Sequence, residues 1–142
     1  MSSARTTPGG DPRLRLLIVD DVEAVRDMLS QLLSQVGYEV ETATNAEEAL
    51  QLVEMVRWDG LILDFDLPDL NGLELYRRII KNTGRQLPVL FFTGRPHEVL
   101  KLGLGGVPWA GLVPKPCSGQ ELLAALEQCL RADSEAAPAA GG

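Results

Sequence analysis

The chain has 142 residues, 45% hydrophobic and 23% charged, a length that predicts one domain with a single core. Thirteen basic and twenty acidic side chains give a formal net charge of −7, which argues against non-specific binding to nucleic acid or to an anionic membrane. No apolar run reaches the roughly 20 residues that a membrane helix needs. Residues 1–13 lack the apolar segment of a signal peptide, and we therefore expect a cytoplasmic protein.

Both ends of the chain differ in composition from its middle. Residues 1–12 are small, polar and rich in proline and glycine, and they predict a flexible lead-in. Residues 132–142 predict a disordered tail or the start of a linker. The domain is therefore expected to span residues 13–131.

The first half of the domain alternates strand and helix patterns. The predicted elements are a buried strand at 14–19, a helix from Val22 to Val36, a short strand at 38–43 and a helix ending at about Val56. Gly37 is expected to end the first helix, and Thr44 with Glu47 to form a capping box that opens the second.

The second half continues the alternation with one weak element. The predicted elements are strands at 61–63, 87–92 and 112–113, a helix at 73–80, and a last helix opened by a capping box of Ser118 and Glu121. After Thr93 the helix pattern is weak, because glycine and proline interrupt it before residue 109. Five strand–helix units with short connections predict an α/β fold, a parallel sheet covered on both faces.

In such a sheet a ligand site lies at the carboxyl ends of the strands. Asp20 and Asp21 follow the first strand, Asp64 the third, Thr93 the fourth and Lys115 the fifth. Taken singly, the acidic pair is more often a helix N-cap, and Lys115 between prolines an exposed loop residue. Their coincidence at one edge favours a site. Clustered carboxylates repel one another, and Mg²⁺ relieves that repulsion. Lys115 and Thr93 could then hold phosphoryl oxygens while an aspartate acts as the nucleophile.

Residues 14–131 resemble a receiver domain of two-component response regulators. The resemblance rests on the segments LLIVDD, LILDFDLPDLNGLEL, PVLFFTG and VPKP, in that order along the chain. It implies a flavodoxin-like (βα)5 doubly wound fold with the strand order 2-1-3-4-5. It also implies that Asp64 is the phospho-acceptor and that Thr93 and Lys115 contact its phosphoryl group. The metal ligands it implies for Mg²⁺ are Asp20, Asp21, Asp64 and the backbone carbonyl of Asp66.

The resemblance further implies the partners. The phosphoryl donor would be a histidine kinase or a histidine phosphotransfer protein, and the signal would leave by contact with a downstream protein target. The chain would catalyse only its own phosphorylation and dephosphorylation, and would not be an enzyme for other substrates. The sequence contains no helix-turn-helix and no basic stripe, and predicts no direct binding to nucleic acid. A stand-alone regulator and a receiver from a longer protein both remain open.

Two features depart from the family pattern. Leu112 stands where receivers usually carry the tyrosine or phenylalanine that rotates on activation, and glycines interrupt the fourth helix. That helix is similar to the short or mobile one of receivers in hybrid kinases. We therefore expect phosphorylation to draw Thr93 toward Asp64 and to order or shift residues 95–109.

Two other classes of protein share part of this pattern. Residues 61–68, LILDFDLP, also resemble the first motif of haloacid-dehalogenase-type phosphatases, which would use Asp64 as the nucleophile. Those enzymes need an acidic pair after the lysine, and none of the later acids ends a predicted strand: Glu121, Glu127, Asp133 and Glu135. A pseudo-receiver that binds partners without phosphorylation is the third class, and the intact acidic pair and Lys115 argue against it.

Overall fold

The computed structural model describes residues 13–96 and 110–141, with side chains described as far as residue 132. The lead-in predicted for residues 1–12 therefore lies outside the described residues. The same holds for most of the weak helix and of the switch segment predicted after Thr93, namely residues 97–109.

Strands and helices alternate along the described chain, and five strands form one parallel sheet. The elements are β1 Arg15–Val19, α1 Glu23–Val36, β2 Glu39–Ala43, α2 Ala46–Met55, β3 Gly60–Asp64, α3 Gly72–Thr83, β4 Val89–Thr93, β5 Ala110–Pro114 and α4 Gly119–Gly141. The strand order is β2-β1-β3-β4-β5, and each neighbouring pair is parallel. The α/β class and the strand order 2-1-3-4-5 are confirmed.

Each face of the sheet buries its own apolar cluster. Successive side chains of a strand point to opposite faces, and in β1 this sends Leu17 and Val19 one way, Leu16 and Ile18 the other. The first pair packs with α2 and α3, the second with α1 and α4. Because helices cover both faces, polar side chains that follow the strands are left to meet at the sheet edge.

Helix caps set where these elements begin and end. Gly37 ends α1 in the left-handed conformation with φ of 114°, as predicted. Ser118 and Glu121 form the predicted reciprocal capping box. The capping box that opens α2 is shifted by one residue from the predicted pair of Thr44 and Glu47. Asn45 is the N-cap residue and accepts a bond from the Glu48 amide, while the Glu48 carboxylate accepts bonds from the amide and hydroxyl of Thr44.

The last helix is longer than the sequence predicted. The backbone of α4 remains helical to Gly141, whereas a disordered tail or linker was predicted over residues 132–142. The extension contains five alanines, which favour a helix, and Pro138, which disfavours a helix interior. No helix in the described part of the chain is long and apolar enough to cross a membrane.

Candidate phosphorylation site

Three carboxylates meet at the carboxyl edge of the sheet. Asp64 is the last residue of β3, and Asp20 and Asp21 follow the adjacent strand β1. One oxygen from each of the three lies within 4.8 Å of the others. Asp20 and Asp64 are buried, with 1% and 4% of their surface exposed, whereas Asp21 is exposed. The convergence predicted from the strand ends is therefore observed.

Lys115, which follows the edge strand β5, brings a positive charge into this cluster. Its Nζ lies 2.8 Å from Oδ2 of Asp20 and 3.4 Å from Oδ2 of Asp64. It also lies 5.1 Å from the ring centroid of Phe92, within the range of a cation–π contact. The Lys115 amide donates to the carbonyl of Thr93 over 2.7 Å, which continues the pairing of β4 and β5 beyond the strand end. The Lys115–Pro116 peptide bond is cis.

Burial and charge perturb two groups of the cluster. Burial raises the pKa of Asp64, and the nearby Asp20 carboxylate raises it further, against the opposing effects of the Asp66 amide and Lys115. Burial alone would lower the pKa of Lys115, but its hydrogen bond to Asp20 and the two nearby carboxylates outweigh burial and raise it. Lys115 is therefore held in its charged form, while ionised Asp64 is costly to keep without a further cation.

The donor chemistry of the cluster fits a hard divalent cation. Carboxylate oxygens are preferred ligands of Mg²⁺, and three are supplied here from two adjacent strands. The Asp66 amide donates to Oδ1 of Asp64 over 3.0 Å, which places Asp66 directly beside the cluster. Asp20 already accepts bonds at both oxygens, from the Val22 amide over 2.9 Å and from Lys115. Asp64 also has a donor at each oxygen, the Asp66 amide at Oδ1 and Lys115 at Oδ2, so Asp21 is the carboxylate of the three that is least engaged with protein donors.

The acidic pair does not act as an ordinary helix cap. The residue at the N-cap of α1 is Val22, which makes no side-chain capping bond. Asp20 accepts only the Val22 amide from this region, and its backbone carbonyl accepts a bond from Arg26 over 2.7 Å. The N-cap alternative for the acidic pair is therefore wrong, and Asp21 lies in the carboxylate cluster instead.

Thr93 reaches the same edge, but its hydroxyl contacts Asp66. Thr93 is fully buried at the end of β4, and its Oγ1 donates to Oδ2 of Asp66 over 3.3 Å. The Arg95 amide donates back to Oγ1 over 2.9 Å, and the Arg95 guanidinium pairs with Oδ1 of Asp66. Sequence reasoning assigned Asp66 only a backbone role and missed Arg95. The available signal was an acid two residues after the end of β3 and a base two residues after the end of the adjacent strand β4.

The loop between β3 and α3 is fixed by close packing and by a helix N-terminus. A Cβ on Gly72 would lie 2.8 Å from the carbonyl oxygen of Asp64 and 2.9 Å from Cα of Phe65, so a side chain does not fit there. Asp69 accepts bonds from the amides of Ala46 and Glu47, over 3.0 and 3.1 Å, at the start of α2. These contacts hold the backbone that follows Asp64.

This arrangement agrees with what comparison with known proteins finds. The model of the response regulator receiver domain family matches residues 16–127. The chain belongs to that family. It is a receiver domain, and receiver domains of response regulators accept a phosphoryl group. The resemblance read from the four sequence segments is confirmed.

The proteins that are similar in sequence or in structure include a response regulator, a chemotaxis protein and a signal receiver domain. The response regulator MprA of Mycobacterium leprae is 41% identical to this receiver over 121 residues, which cover 83% of this chain and 51% of MprA. The chain thus spans about half the length of that relative. The chemotaxis protein CheY4 of Vibrio cholerae is 30% identical with a TM-score of 0.75, over 82% of this chain and 98% of CheY4. The signal receiver domain of an HD domain-containing protein from Pseudomonas fluorescens is 32% identical with a TM-score of 0.76, over 87% and 98% of the two chains.

Leu112 occupies the predicted place in β5 of this receiver. It pairs in register with Phe91 and is partly buried against the core cluster on the α2 and α3 face. Its effect on switching stays a prediction, because most of the segment expected to respond lies outside the described residues.

Proposed function

We propose that Asp64 of this receiver accepts a phosphoryl group from a histidine kinase or a histidine phosphotransfer protein in a Mg²⁺-dependent reaction. The observation that carries the proposal is the position of Asp64. Its carboxylate ends β3, is buried, lies 3.4 Å from the Lys115 ammonium, and shares a cluster with two further carboxylates.

The surroundings of Asp64 suit a nucleophile. Oδ1 is oriented by the Asp66 amide and Oδ2 faces Lys115. Because burial raises its pKa, the carboxylate is more basic than an exposed aspartate and gains more by forming a bond. A carboxylate oxygen forms the new P–O bond as the P–N bond of the donor phosphohistidine breaks, and the imidazole leaves with the electron pair of that bond.

The other residues of the cluster would stabilise charge. Lys115 would pair with a phosphoryl oxygen, and the Thr93 hydroxyl would donate to another. Asp20, Asp21, Asp64 and the backbone carbonyl of Asp66 would hold Mg²⁺. When bound, that ion supplies positive charge opposite the phosphoryl oxygens, where negative charge accumulates during transfer.

The wider role follows from the same proposal. The chain would catalyse only its own phosphorylation and dephosphorylation and would signal by contact with a downstream protein, without binding nucleic acid itself. Its net charge of −7 supports the last point. A cytoplasmic location would give it access to a kinase and its nucleotide.

The phosphatase alternative has no support in the geometry. It requires acids that follow Lys115 in sequence, but the described carboxylates that cluster with Asp64 are Asp20 and Asp21, which follow β1. Glu121, which does follow Lys115, accepts a bond from the Ser118 amide at the start of α4.

The proposal is tested by chemical phosphorylation. With acetyl phosphate and Mg²⁺, intact mass should show one added phosphoryl group in the wild type and in Glu54→Gln, an exposed control on α2. Asp64→Asn, or removal of Mg²⁺ with EDTA, should suppress the addition. Equal labelling of Asp64→Asn would overturn the assignment, and no labelling of the wild type would favour a pseudo-receiver. Sustained hydrolysis of p-nitrophenyl phosphate would instead support the phosphatase.

A further inference from the structure

The contacts of Thr93 raise a question about its availability. A threonine hydroxyl has one proton to donate, and here that proton is directed at Oδ2 of Asp66. The hydroxyl oxygen meanwhile accepts the Arg95 amide. In this arrangement Thr93 cannot also donate to a phosphoryl oxygen on Asp64. One contact must break before the other forms.

Asp66 is itself held in the position that receives Thr93. Its second carboxylate oxygen pairs with the Arg95 guanidinium, so both oxygens have cationic or hydroxyl donors. Its amide donates to Asp64, which fixes the backbone of Asp66 beside the acceptor. The carboxylate of Asp66 and a phosphoryl group on Asp64 would therefore be neighbouring anions that compete for the same hydroxyl proton.

We propose that Asp66 is a positioning residue. Its carboxylate holds the Thr93 hydroxyl by a hydrogen bond in the unphosphorylated state, and this bond disfavours the phosphorylated state. This rests on the proposed function of Asp64. Phosphorylation adds negative charge beside Asp66 and offers the Thr93 hydroxyl a stronger acceptor. The hydroxyl then exchanges its hydrogen bond to Asp66 for one to the phosphoryl group. Arg95 joins the two partners, because its amide donates to the Thr93 hydroxyl and its guanidinium pairs with Asp66.

The expected size of the effect is modest. The side chains of Asp66 and Arg95 are 36% and 55% exposed, so solvent screens their pairing. A single partly exposed hydrogen bond corresponds to a change of about threefold to tenfold in an equilibrium constant. Removing Asp66 should thus favour the phosphorylated state by roughly that factor.

The test uses the phosphoryl mimic beryllofluoride with saturating Mg²⁺, and follows bound fluoride by ¹⁹F NMR. Asp66→Ala should bind the mimic about threefold to tenfold more tightly than the wild type. Asp66→Asn keeps the shape of the side chain but accepts more weakly, and should lie between the two. Glu54→Ala, which removes an exposed negative charge on α2, should bind as the wild type does.

A second background separates the contact from simple charge repulsion. Thr93→Val keeps the branched shape and removes the hydroxyl, so adding Asp66→Ala to it should change the affinity little. An equal gain in both backgrounds would overturn the proposal and assign the effect to charge alone. Unchanged or weaker binding in Asp66→Ala would overturn it as well. If the wild type binds no mimic, or Asp64→Asn binds as well as the wild type does, the proposed function fails first and takes this inference with it.

Discussion

The ammonium group of Lys115 lies 2.8 Å from a carboxylate oxygen of Asp20, although 95 positions separate the two residues in the sequence. The bond joins the end of β5 to the end of β1 across two intervening strands. It places a fixed positive charge beside the buried Asp64, and it holds the acidic cluster together.

Lys115→Met should destabilise the protein. Asp20 and Asp64 would lose their cation while their side chains stay only 2% and 5% exposed. We expect the free energy of unfolding to fall by about 2 kcal/mol at pH 7 without Mg²⁺. Urea denaturation followed by circular dichroism measures it, with the exposed Lys81→Met as the control. The difference should shrink as the pH falls through the raised pKa of Asp64, because the protonated side chain no longer needs the cation; a loss that stays constant with pH would contradict this explanation.

Mg²⁺ should stabilise the folded protein through Asp21. A ligand that binds only the folded state raises the free energy of unfolding by about 2.7 kcal/mol at 100 times its dissociation constant. The melting temperature of the wild type should therefore rise as Mg²⁺ is titrated. Asp21→Ala should abolish most of that rise, whereas Asp27→Ala, an exposed acid on α1, should retain it. The same titration curve in Asp21→Ala and the wild type would remove Asp21 from the ligand set.

Asp64→Asn should stabilise the protein at neutral pH. Burial raises the pKa of Asp64 in the folded protein. The Asp64 carboxyl group therefore loses its proton at lower pH in the unfolded chain than in the folded one. Stability from this group is thus present at low pH and lost as pH rises through the folded pKa. Without Mg²⁺, the Asp64→Asn substitution should raise the melting temperature by about 4 °C at pH 7 and by little at pH 3. The exposed Glu41→Gln on β2 is the control; a lower melting temperature at pH 7 would show that the pairing with Lys115 outweighs burial.

Gly72→Ala should damage the site through the backbone. Its Cβ would lie 2.8 Å from the Asp64 carbonyl oxygen, so the chain around Asp64 must shift. We expect a loss of about 1–3 kcal/mol in the free energy of unfolding and weaker stabilisation by Mg²⁺. Gly119→Ala is the matched control, because its Cβ would make only an ordinary contact with Leu32 at 3.4 Å. Wild-type behaviour of Gly72→Ala would show that the loop adjusts freely.

The sequence predicted the site better than it predicted the contacts within it. Asp64 and Thr93 follow apolar runs, and in a parallel sheet the ends of such runs share one edge. The contact of Asp66 with Thr93 depends on how the β3–α3 loop turns, which no periodicity encodes. Likewise, Asn45 rather than Thr44 caps α2, a choice between adjacent capping residues that tertiary packing decides.

The central claim is that Asp64 carries the phosphoryl group. The most direct measurement treats the phosphorylated protein with borohydride, which reduces an aspartyl phosphate to homoserine, and locates the change by peptide mass spectrometry. We expect homoserine at position 64, dependent on both acetyl phosphate and Mg²⁺. Homoserine at position 20, 21 or 66, with Asp64 unchanged, would contradict it.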